Sequence, residues 1–106
     1  MTDDAVPQKT VQLRRYELAP GVLDDFVAWF TSTLIPARLS EGFEIEFAYA
    51  DRDANQFVWA VSTPGDAARF AEVEAAYLQS EARAAAFAGQ PVRVATQHVS
   101  LVEPVA

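Results

Sequence analysis

The stretch Val11–Leu34, VQLRRYELAPGVLDDFVAWFTSTL, changes its hydrophobic period half-way along. From Val11 to Leu18, β-forming residues alternate in steps of two, which predicts a strand. One face carries Val11, Leu13, Arg15 and Glu17, and the other carries Gln12, Arg14, Tyr16 and Leu18. Pro20-Gly21 ends it. From Val22 the spacing becomes helical: Leu23, Phe26, Val27, Phe30 and Leu34 fall on one stripe. Asp24 and Asp25 sit in the first turn, where the positive end of the helix dipole favours them. Pro36 disfavours helix at Ile35 and predicts a kink or an end there.

Downstream the alternation returns. Phe43, Ile45, Phe47 and Tyr49 alternate with Glu44, Glu46, Ala48 and Ala50, a strand with four large apolar groups on one side. The polar run Asp51–Asn55 and the strand Gln56–Ser62 complete a hairpin with a five-residue loop. In that strand Phe57, Trp59 and Val61 share a face opposite Val58 and Ala60. Thr63-Pro64-Gly65-Asp66 starts a second helix, with Thr63 as the expected cap and Asp66 as the acid of a capping box. Phe70, Val73 and Tyr77 form its apolar stripe. Ser80 caps a short helix holding Phe87, and Val92–Val102 is the last strand. The order β-α-β-β-α-β is the split βαβ, ferredoxin-like α+β arrangement: a four-stranded antiparallel sheet with helices on one face.

Composition bounds what such a domain does. With 106 residues, 51% of them apolar, the chain fits one domain with a modest core. Met1–Thr10 reads as a flexible polar tail, with neither the basic start nor the apolar run of a signal peptide, and residues 11–106 as the domain. Fifteen acidic against eight basic side chains give a net charge of −7, which repels phosphate backbones and anionic lipid. Nucleic-acid and membrane partners are therefore not expected, and the expected compartment is the cytoplasm. No cysteine is present, which excludes disulfides, thiolate catalysis and cysteine-based zinc sites. With one histidine as well, no metal and no other cofactor is expected.

Helices cover only one face of this sheet, yet both faces carry bulky apolar groups. A two-fold partner laying its own sheet over the open face would bury them, so a homodimer is expected; the alternative is a monomer with a partly apolar open face.

Candidate site residues follow from the strands. Arg14 and Tyr16 share a face of what should be a central strand, where a cation beside a phenol suits an anionic or carbonyl ligand. Arg14 could instead pair with Glu46 or with a partner subunit. Trp59 could line an aromatic pocket or serve as core, and Tyr77 lies on the stripe of the second helix, where its hydroxyl needs a partner if buried. His98 is the one side chain that ordinarily titrates near neutrality, hence a weak candidate for a general base; between Thr96 and Ser100 it also suits a solvated strand face.

Leu13-Arg14-Arg15-Tyr16-Glu17-Leu18-Ala19-Pro20-Gly21 resembles the opening signature of NIPSNAP-like domains, L-R-x-Y-x-L-x-P-G. Phe57-Val58-Trp59 followed by Pro64–Arg69 is similar to their third strand and helix start, and Ala76–Glu81 to the aromatic-then-turn segment beyond it. The chain departs from the pattern at Arg83, near which many relatives place a tryptophan. The resemblance implies a dimeric α/β barrel with a cavity between sheet and helices, but no defined reaction. A homodimeric small-molecule-binding or accessory domain is therefore the first expectation. A cofactor-independent monooxygenase, or an isomerase or lyase of the same barrel group acting on a small aromatic or polyketide-like substrate, is the alternative. Against a direct copy of the oxygenases, the one asparagine is Asn55, in the hairpin loop, and the second helix lacks the histidine of haem-degrading relatives.

Overall fold

β1 (Lys9–Leu18) runs through the middle of the sheet, flanked by antiparallel neighbours on both sides. The computed structural model describes residues 8–105. Most of the expected tail, residues 1–7, lies outside them, whereas Lys9 and Thr10 already pair with Pro64 and Thr63. The other strands are β2 (Glu44–Asp51), β3 (Gln56–Pro64) and β4 (Val94–Val102). Their spatial order is β2-β3-β1-β4, with all three pairings antiparallel. This is the expected ferredoxin-like α+β sheet, with its helices gathered on one face.

The first helical segment does not stop at Pro36. It comprises α1 (Leu23–Trp29), a π-helical turn (Phe30–Leu34) and α2 (Ile35–Ser40) in unbroken succession. Proline lacks an N–H and its ring crowds the carbonyl four residues back. The wide turn just before Pro36 accommodates both: the Ile35 N–H donates five residues back, to Phe30. Hydroxyls of Thr31 and Ser32 donate to the carbonyls of Val27 (2.9 Å) and Ala28 (2.7 Å), satisfying acceptors in the turn before. The stripe of Leu23, Phe26, Phe30 and Leu34 is thus kept facing the sheet, and all four are buried.

β3 ends where a helix cap was expected. Pro64 is the last strand residue and Thr63 is buried within the sheet. Asp66 caps α3 (Ala67–Leu78) instead, accepting from the Arg69 N–H at 2.9 Å. Between them Gly65 has φ +98°, and a Cβ there would lie 3.1 Å from Arg69 Cβ and Cγ, so the tight entry to α3 requires glycine. Ser80 caps α4 (Glu81–Phe87) as expected, accepting from Arg83 N–H at 3.1 Å.

Phe43, Ile45, Phe47 and Tyr49 do not share a face. A bulge between Ile45 and Phe47 inserts Glu46, and every side chain beyond it changes sides. Phe43 and Ile45 pack under the helices, while Phe47 and Tyr49 pair with Ala60 and Val58 on the open face. Glu46 turns to that same face, where it accepts from Ser62 Oγ (2.6 Å) and Lys9 Nζ (2.9 Å). These bonds hold its carboxyl below the usual carboxylate range, the Ser62 hydroxyl contributing most.

One layer of helices on one sheet makes a slab of 53 × 33 × 20 Å with a radius of gyration of 15.0 Å. A globular chain of this length has about 13 Å. The bare face carries Val11, Leu13, Val58, Ala60, Phe47, Tyr49 and Val102, an apolar belt from β4 to β2.

Candidate functional site

The core on the helix side is aromatic. Phe30 meets Phe57 and Trp59 edge-on at 4.7 and 4.9 Å between ring centroids, and Phe26 meets Phe57 at 5.0 Å. Into this apolar layer the chain sets a chain of charged groups. Arg38 in α2 is 4% exposed. Its Nη1 donates to Glu74 Oε1 at 2.7 Å, and its guanidinium lies over the rings of Tyr77 (4.1 Å) and Phe43 (4.6 Å). Arg14 in β1 reaches the other oxygen of Glu74 only at 3.8 Å. Two guanidinium groups therefore share one carboxylate, and the cluster carries one net positive charge.

Glu74, not Glu46, is the partner of Arg14; Glu46 lies on the opposite face of the sheet, with Ser62 and Lys9. Arg14 is held by its own strand as well. Nε donates to the Tyr16 hydroxyl at 2.7 Å and Nη1 to Gln12 Oε1 at 2.6 Å, both two residues away on the same face. Tyr16 accepts that bond, which leaves its O–H free to donate.

A cavity of about 320 Å³ opens beside this pair, between the sheet and the helices. Arg14 and Tyr16 form one wall, and Phe26, Trp29, Leu34 and Phe87 the facing one. β4 supplies Val94–Gln97 and α4 supplies Arg83, whose guanidinium rests 4.4 Å from the centroid of Phe87. The indole N–H of Trp29 donates to Ala86 O at 3.0 Å, which fixes α1 against α4 and sets the width of the cavity. A second, apolar cleft of about 190 Å³ adjoins it and shares Phe26, Trp29, Phe87 and Val94.

Of the five residues singled out in the sequence, Arg14 and Tyr16 line this cavity together. Trp59 is buried behind Arg14, with the guanidinium 5.6 Å from its ring, and does not line it. Tyr77 is buried against Arg38, and burial pushes its phenol above the usual tyrosine value. Neither Trp59 Nε1 nor Tyr77 OH has a hydrogen-bond partner among the described residues. His98 pairs with Arg15 across β4 and β1, on the open face, with Glu17 3.6 Å away. The sheet therefore separates it from Arg14, and it takes no part in the cavity. Asn55 lies at the hairpin, where its Nδ2 donates to Leu18 O and Ala19 O.

Sequence reading missed Arg38 and Glu74, and marked Arg83 only as a departure from the NIPSNAP-like pattern. The first two carried a legible signal: Arg38 continues the stripe at four residues past Leu34, and Glu74 falls between Val73 and Tyr77 on the stripe of α3. A charge on an apolar stripe asks for a buried partner, and each supplies the other's.

Among the described residues no group of three or more histidine, cysteine, aspartate or glutamate side chains is placed to hold a metal ion, and no helix is long and apolar enough to cross a membrane.

No family model and no curated protein matches the sequence. Solved structures do match. A NIPSNAP family protein of unknown function from Agrobacterium tumefaciens superposes with a TM-score of 0.80 at 13% identity, covering 92% of this chain and 88% of that one. An uncharacterised NIPSNAP-like domain protein from Burkholderia xenovorans gives 0.77 at 20% identity, covering 92% and 86%. A putative antibiotic biosynthesis monooxygenase from Bacteroides thetaiotaomicron gives 0.68 at 15% identity, covering 93% and 91%. The chain thus has the fold of NIPSNAP domain proteins, which antibiotic biosynthesis monooxygenases share, in keeping with the resemblance carried by its first strand.

Proposed function

We propose that this domain is a homodimeric binder of small molecules, with one ligand cavity per subunit between sheet and helices. The contrast between the two faces of the sheet carries this reading. The helix side offers a cavity in which two polar groups, Arg14 and Tyr16, converge opposite an aromatic wall, the usual composition of a ligand site. The other side offers an apolar belt suited to a second copy.

An enzymatic role of the monooxygenase or isomerase kind draws on the shared fold alone, since His98 and Asn55 lie away from the cavity. The roles proposed for Arg14 and Tyr16 are contact with ligand; Trp59 and Tyr77 back that wall as core.

A crystal structure of the full chain, purified without denaturant, tests both parts. Bound density beside Arg14, and a two-fold partner over Leu13 and Phe47, is the expected result. A cavity closed by Trp29 and Phe87 would count against the ligand. An open face left to solvent would count against the dimer.

A further inference from the structure

We propose that the ligand of this cavity is a small organic monoanion, a carboxylate or an enolate carried on a planar apolar body. The proposal rests on the small-molecule reading above and names its chemical class. The chain is strongly acidic, at −7, yet this cavity is lined by two arginines and by no aspartate or glutamate. A random sample of this surface would give the opposite balance.

Neither arginine is fully neutralised by its neighbours among the described residues. Arg83 makes no ion pair among the described residues; it is steadied by the Phe87 ring alone. Arg14 reaches a carboxylate at 3.8 Å, and that carboxylate already bonds to Arg38 at 2.7 Å. The Arg14 side chain is only 13% exposed, so water compensates its charge poorly. An anion in the cavity would supply the missing charge.

The donors suit an oxyanion in geometry as well. Arg14 spends Nε and Nη1 on Tyr16 and Gln12, which fixes the plane of the guanidinium and leaves Nη2 without a partner among the described residues. The bond from Nε to the Tyr16 oxygen polarises the phenol and leaves its proton to be given away. Nη2–H and the Tyr16 O–H are thus two adjacent donors, matched to the two oxygens of a carboxylate or to the single oxygen of an enolate. The apolar body would lie along Phe26, Trp29 and Phe87, which continue into the adjoining cleft.

Calorimetric titration of the full chain with three probes of one shape tests this: naphthoate, naphthylmethanol and naphthylmethylammonium. Naphthoate should bind about tenfold or more tighter than the alcohol, and the ammonium most weakly. Arg14→Gln should bring naphthoate down to the level of the alcohol. Arg83→Gln, which breaks no ion pair among the described residues, should weaken naphthoate several-fold more than it weakens the alcohol, so the test survives if the Arg14 variant fails to fold. Equal affinity for naphthoate and naphthylmethanol would overturn the anion while leaving a small-molecule site. Binding of none of the three would overturn both.

Discussion

Replacing Glu74 by glutamine should destabilise the domain far more than a surface charge would. The substitution keeps the shape and one acceptor for Arg38, but leaves two guanidinium groups with no carboxylate. Arg38 cannot escape to water, since its side chain is 5% exposed and wedged between the rings of Tyr77 and Phe43. Removing one partner of a buried ion pair costs about 3–5 kcal/mol. Glu74 is 20% exposed and glutamine retains one bond, so a loss of about 2–3 kcal/mol is expected, at roughly 4–8 °C of melting temperature per kcal/mol. Urea unfolding at fixed protein concentration measures it. The double variant Arg38→Met with Glu74→Gln removes the stranded cation, and should cost less than the sum of the single changes. If Glu74→Gln lost under about 0.5 kcal/mol, as surface pairs do, or if the two changes simply added, the charge pairing inferred here would be wrong.

Glu46→Gln should cost roughly 1 kcal/mol at neutral pH, from the Ser62 and Lys9 bonds. Its folded-state value is depressed, so this stability is present above the ordinary value of 4.5 and is lost as pH falls below it. The gap between wild type and variant in acid denaturation should therefore close toward pH ~3, and a gap that widened in acid would reverse the assignment. Tyr77→Phe removes a buried hydroxyl that has no partner among the described residues, and should be neutral or stabilising by up to about 1 kcal/mol. Because burial raises that phenol, the unfolded chain ionises it more readily than the folded one, so the wild type loses stability as pH rises through and beyond 10, and the variant should resist alkali better in thermal melts at high pH. A loss of more than about 1 kcal/mol at neutral pH would mean that the hydroxyl is bonded. Phe47→Asp puts a charge into the open-face belt and should yield a folded monomer by sedimentation at micromolar concentration, with an unchanged circular dichroism spectrum; a variant sedimenting like the wild type would place the subunit contact elsewhere.

The order of elements was legible because the hydrophobic period changes from 2 to 3.6 and back at recognisable punctuation: Pro20-Gly21, Gly42, Gly65 and Gly89. Local geometry that inserts a residue was not. Nothing in Phe43–Tyr49 distinguishes an unbroken alternation from one interrupted at Glu46, because the apolar positions read the same whether or not they change face; the bulge shows only in the register, where Ile45 pairs with Val61 and Phe47 with Ala60. The π turn before Pro36 escaped for a related reason. Proline forbids one hydrogen bond, and the chain can answer by stopping or by widening the turn before it. The buried stripe from Leu23 to Leu34, continued by Arg38, favours widening. In the cavity, Arg14 and Tyr16 could be paired from their spacing on a strand. Arg83 could not, since its approach depends on how α4 packs against Trp29.

The division of labour between the two faces of the sheet can be read from one nuclear magnetic resonance titration of the full chain with naphthoate. Chemical-shift changes confined to Tyr16, Trp29, Arg83 and Gln97 are the expected result. Changes at Phe47, Tyr49 and His98, with the helix-side residues silent, would contradict it and move the site to the open face.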